Sequence, residues 1–128
     1  MKKFTSIHEV TFTDALNILE QWEQGICAME DVLMFGESIY DLDDWVCHEA
    51  ANDQPLSVLF AVISMLAKVH IHPVLKEDIP ALQAFLQRGQ TDPLGAWSAM
   101  ERYWTSIDWD TRVMQQYKAI QKHQGEPP

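Results

Sequence analysis

With 128 residues the chain can bury a core without disulfide or metal staples, and a formal net charge of -10 sets it against phosphate, which disfavours direct binding to nucleic acid. A hydrophobic share of 47%, with five tryptophans, excludes a disordered chain. Its two cysteines, Cys27 and Cys47, fit neither a disulfide framework nor a CxxC metal motif and read as free thiols in a reducing compartment.

The first residues, MKKF, are followed by Thr5, Ser6, His8 and Glu9, which interrupt the apolar run a secretory leader would need and point to a cytoplasmic protein. Thr11 with Asp14 three residues later is a capping box, and Ala15, Leu16, Leu19 and Trp22 then share one helical face until Gly25 stops it. From Ile26 to Phe35 the apolar positions Ile26, Met29 and Leu33, with Val32 beside them, predict a second helix. Gly36 either ends or bends it, and Ser38 is placed to cap a third, burying Ile39, Leu42, Val46 and Ala50.

Asn52, Asp53, Gln54 and Pro55 mark the start of the helix that organises the rest, about residues 55–70. In LSVLFAVISMLAKV, only Ser57, Ser64 and Lys68 are not apolar; with Ala61 they fall at i, i+4, i+7 and i+11, leaving a helix that is apolar in every other direction. The run is too short for a membrane span and carries Lys68, so it is a core helix with neighbours all round. His70 and His72 sit at its end, two residues apart and pointing nearly opposite ways. Asp78 and Pro80 restart a short helix ending at Arg88 and Gly89, and Thr91, Asp92 and Pro93 announce another with Leu94, Trp97, Met100, Trp104 and Ile107 as its core stripe. Asp108 or Asp110 begins the last, which is expected to bury Val113, Tyr117 and Ile120 and to fray from His123 to Pro128. The whole predicts an all-α single domain, residues 1–128, of six or seven helices, with no strand signal and no internal repeat.

Charge is divided unevenly along this chain. Between Phe4 and Ala67 there are twelve acids and no lysine or arginine, whereas from Lys68 to Pro128 seven bases meet seven acids. A stretch without cations concentrates negative potential on whatever surface it forms. Its densest part is Glu37 to Glu49. On a helix capped by Ser38, Glu37, Asp41, Asp44 and His48 lie at i, i+4, i+7 and i+11, with Asp43 nearby and Tyr40 and Trp45 as candidate aromatic anchors. These seven residues are the expected partner-binding set, suited to a cationic protein because opposite charge speeds encounter and sets specificity. The bland alternative is a solvated face.

Metal and catalytic chemistry find less support. Asp44 and His48 could hold two positions of a metal, but the paired Glu-x-x-His motifs of a di-iron bundle are missing, so no metal or other cofactor is expected. Cys47 and His48 are adjacent and therefore about 100° apart on a helix, unable to act as a dyad. With no nucleophile elbow, P-loop or dinucleotide glycine pattern, the chain is not expected to be an enzyme.

A small, all-helical chain with a heavily acidic half resembles the bacterial immunity proteins that neutralise nuclease toxins of the contact-dependent growth inhibition and colicin types. The likeness is one of size, class and charge over the whole chain and involves no motif, so no family residue transfers to a position here. It implies an inhibitor forming a tight complex with a cationic nuclease domain in the cytoplasm and occluding its substrate-binding surface. Rival readings are a nucleic-acid mimic that blocks a DNA-binding protein, an enzyme or metal-binding helical bundle, and a structural subunit of a larger assembly.

Overall fold

A computed structural model describes residues 3–45, 51–69 and 74–125, with side chains described as far as Lys118. After a 3-10 turn at Ile7–Glu9 come α1 (Phe12–Glu23), α2 (Met29–Tyr40), α3 (Pro55–Leu66), a second 3-10 turn at Lys76–Asp78, α4 (Ile79–Gly89), α5 (Pro93–Thr105) and α6 (Trp109–Gly125). The protein is all-helical, six helices with no strand among the described residues, in agreement with the sequence.

Local chemistry sets most of these boundaries. The Thr11 hydroxyl accepts from the Asp14 N–H at 3.1 Å and the Asp14 carboxylate accepts from the Thr11 N–H at 2.9 Å, so two donors that the helix leaves unpaired are satisfied reciprocally. α1 ends in a Schellman motif: Gly25 has φ +75°, its N–H donates to the Trp22 carbonyl, and the Ile26 N–H donates to the Gln21 carbonyl. Asp92 caps α5 through the Gly95 N–H at 3.0 Å, and Asp108 caps α6 through Thr111. α6 remains helical through Gly125, past His123, where fraying was expected.

α3 is the centre of the bundle and packs against α1, α2, α4 and α5. Val58, Leu59, Val62, Ile63 and Leu66 are buried, while Ala61, Ser64 and Lys68 are half-buried along the stripe that the sequence marked. Ser57, the fourth member of that stripe, is buried; its hydroxyl donates to the Gln54 carbonyl and accepts from the Trp97 indole N–H at 2.9 Å. Two glycines permit close helix contact. A Cβ on Gly36 would lie 2.4 Å from the Ala67 nitrogen, and one on Gly89 would meet the Val58 side chain at 2.6 Å.

Four expectations are corrected. Gly36 neither ends nor starts a helix: α2 runs through it, and the third helix expected from Ser38 does not form, because Ser38 lies inside α2 with its hydroxyl on the Phe35 carbonyl. The buried face of α2 is Val32, Phe35, Gly36 and Ile39, whereas Ile26 is 70% exposed and Met29 is exposed; Ile26 lies in the α1 end motif and Met29 in the first turn of α2, both outside the packed stripe. Leu94, in the first turn of α5, is exposed, and Ala96 and Met100 are the residues buried there. Val113 and Tyr117 of α6 are exposed instead of core, since α6 packs extensively on no other helix among the described residues. Val46, Cys47, Ala50, His70 and His72, and the side chains of Ile120 and His123, lie outside what is described.

Candidate partner-binding surface

Glu37 occupies the last turn of α2, and Asp41 follows its end, donating its N–H to the Glu37 carbonyl at 2.9 Å. The chain then turns instead of continuing as a helix: the Leu42 N–H donates to the Ile39 carbonyl and the Trp45 N–H to the Leu42 carbonyl. Glu37, Asp41 and Asp44 therefore do not form one helical row.

Asp44 is carried back onto the 3-10 turn at Ile7–Glu9. Its carboxylate accepts from the Ser6 hydroxyl at 2.6 Å and from the Ile7 N–H at 3.1 Å. The Ser6 bond first, and the Ile7 bond second, hold the Asp44 carboxyl below its usual range. Asp44 is thus a clamp between the turn after α2 and the segment before α1. Glu37, Asp41 and Asp43 remain in solvent, and among the described residues none of them has an ion pair.

The two aromatic residues of the same segment are half-buried. The rings of Tyr40 and Trp45 are 5.2 Å apart, and Trp45 continues to Phe60 of α3 at 5.4 Å, so it packs against the core cluster. Its indole N–H is buried and has no hydrogen-bond partner among the described residues. Lys68, at the end of the central helical segment, sets its ammonium 5.4 Å from the centre of the Tyr40 ring. The surface at this end of α2 combines an exposed trio of carboxylates with a half-buried aromatic pair. His48, the remaining member of the expected set, lies outside the described residues.

Placement makes this trio costly. The end of a helix carries partial negative charge from unpaired carbonyls, and carboxylates there are unfavourable by about 0.3–1 kcal/mol each. α2 has no basic residue in its last turn to offset them. A second acidic group, Glu20, Glu23, Glu30 and Asp31, flanks the connection from α1 to α2 and is also exposed. At about 1.5 Å rise per residue, Glu30 and Asp41 are about 16 Å apart along α2, two screening lengths at physiological salt, so the groups act as separate patches.

A third polar cluster was not recognised from the sequence. Asp78 is fully buried; its carboxylate accepts from the Leu75 N–H at 2.8 Å, from the Tyr103 hydroxyl, and from both terminal nitrogens of Arg112 at 2.6 and 2.9 Å. Burial alone would raise this carboxyl, but the bonds from Arg112, Leu75 and Tyr103 outweigh it and hold it below the usual range. The Tyr103 hydroxyl is pushed up to about 12 by burial and by the charge of Asp78. The sequence marks Asp78 only as a helix start, and its partner Arg112 is 34 positions away, where no local pattern pairs them. The cluster fastens the start of α6 to the second 3-10 turn and α5, with Arg112 also lying over the Trp109 ring.

Among the described residues no group of three or more histidines, cysteines or acids is arranged to hold a metal, and no helix is long and apolar enough to cross a membrane. Compared with known proteins, the chain matches no family model, no curated protein and no solved structure.

Proposed function

We propose that this chain is an acidic inhibitor that binds a cationic protein, in the manner of an immunity protein that masks the substrate-binding surface of a nuclease toxin in the cytoplasm. One observation carries the reading: Glu37 and Asp41, with Asp43 exposed beside them, are held in solvent at a helix end that disfavours them, with no basic residue in that last turn. Charges retained at a cost to the fold, with Lys68 over the Tyr40 ring as the nearby cation, are explained by a partner that supplies further cations. A nuclease domain has such cations, the lysines and arginines with which it holds phosphate. Tyr40 and Trp45, half-buried in the same segment and in ring contact with each other, are aromatic anchors of the kind found in interfaces. The inhibitor works by occupancy and requires no chemistry of its own.

The test is retention of partners by the tagged chain at low and at moderate salt, using lysate of its source cells and of cells expressing the neighbouring open reading frames. A single basic nuclease-like domain should be held at moderate salt and released when Glu37→Gln, Asp41→Asn and Asp43→Asn are combined. Truncating one desolvated member of such a pair costs about 2–5 kcal/mol of binding. Retention indifferent to the three changes, or no retention, overturns the proposal.

A further inference from the structure

A groove of about 420 Å³ runs between α1 and α2, at the opposite end of α2 from the acidic trio, within the size range of about 300–1,000 Å³ typical of ligand sites. Ile18 and Phe35 form an apolar floor, Asn17 and Gln21 line it with amides, and Asp31 and Cys27 stand on the α2 side. Ile26 forms part of the rim while 70% exposed, although the residue at its position in a Schellman motif ordinarily packs against the preceding helix. One oxygen of Asp31 caps α2 through the Ala28 N–H at 2.9 Å. The carboxylate keeps acceptor capacity on its other oxygen.

We infer that this groove receives an arginine side chain from a basic segment of the partner protein, its stem on Ile18, Ile26 and Phe35 and its guanidinium on Asp31 and the amides of Asn17 and Gln21. The inference rests on the proposed function and adds a second anchor to it. The argument is one of complementarity. The groove pairs an apolar floor with carboxylate and amide acceptors, and an arginine combines an apolar stem with a planar set of five donors. Glu20, Glu23 and Glu30 lie exposed around the connection and favour a cationic approach. Cys27 supplies a half-buried reporter inside the groove.

The experiment titrates the full chain with an acetylated hexa-arginine peptide at moderate salt, reading binding by anisotropy of the labelled peptide and alkylation of Cys27 by mass spectrometry of the digest. At about ten times its Kd, the peptide should slow Cys27 alkylation roughly tenfold, because only the empty groove reacts. A hexa-citrulline peptide should give no protection. Asp31→Asn keeps an oxygen for capping and should weaken binding about tenfold, as loss of a charge-assisted bond entails. Gln21→Lys, at an exposed helix position, should abolish protection by placing a cation in the groove and keeps the test decisive if Asp31→Asn unfolds. Spermine protecting Cys27 as well as the peptide would overturn the assignment to a protein side chain. Peptide bound without Cys27 protection, and released by the Glu37, Asp41 and Asp43 changes, would overturn the groove while leaving the acidic end of α2 as the docking surface.

Discussion

Asp78 and Asp41 are both carboxylates at helix ends, and the fold treats them in opposite ways. Asp78 stands at the start of α4, where the helix favours negative charge, and is fully buried with Arg112, Tyr103 and the Leu75 N–H all donating to it. Asp41 stands at the end of α2, where the helix disfavours it, exposed beside Glu37 and Asp43 with no ion pair among the described residues. The first arrangement serves the fold. The second opposes it, and the difference separates carboxylates that stabilise the fold from carboxylates that, on the proposed function, are available to a partner. Asp44 shows that the distinction is not one of sequence position, because it follows Asp43 directly and is fully engaged with Ser6 and Ile7.

The largest effect should come from breaking the compensated side. Arg112→Ala leaves Asp78 buried without its cation and should cost about 3–5 kcal/mol, read as a lower urea midpoint. The pH dependence sharpens the same point. Because the folded Asp78 carboxyl is depressed, its contribution is present above the unfolded value of about 3.9 and is lost as pH falls through the folded value. In Arg112→Ala, burial dominates, the folded carboxyl rises above its unfolded value and the sign reverses: stability should increase as pH falls through the folded value and decrease as pH rises. Next in size is Gly36→Ala, which bears on how α2 is seated. Alanine gains about 1 kcal/mol of helix propensity over glycine, but its Cβ would meet the Ala67 backbone at 2.4 Å, which neither side can relieve by a rotamer change. Overpacking of this kind costs about 1–3 kcal/mol, so thermal melting should show net destabilisation. The smallest effect has the opposite sign. Glu37→Gln and Asp41→Asn should each stabilise the fold, by about 0.3–1 kcal/mol at low salt and less at high salt.

The boundaries of most helices were legible because they are written in adjacent residues: Thr11 with Asp14, Gly25, Pro55, and Asp92 with Pro93 each carry their own hydrogen bond or backbone constraint. The central position of α3 was legible because a helix apolar nearly all round must be surrounded. What escaped was set by packing. The end of α2 carries no glycine or proline stop, and helical spacing continued past Asp41 gave a row of acids that the turn at Asp41–Asp44 dismantles. Of the expected surface, Glu37, Asp41 and Asp43 share the exposed end, Tyr40 and Trp45 are half-buried, and Asp44 is diverted by a serine 38 positions earlier. α6 was misjudged because its spacing of apolar residues implied a neighbour, whereas it is fixed near its start by Arg112 and Trp109, leaving Val113, Met114 and Tyr117 exposed.

The most direct test of the account is to measure stability and partner retention together in one variant, Glu37→Gln/Asp41→Asn/Asp43→Asn. If these carboxylates are held for a cationic partner, the variant unfolds at higher urea concentration than the parent and no longer retains the basic domain at moderate salt. A variant that is less stable, or that retains the same partners as the parent, would contradict the account.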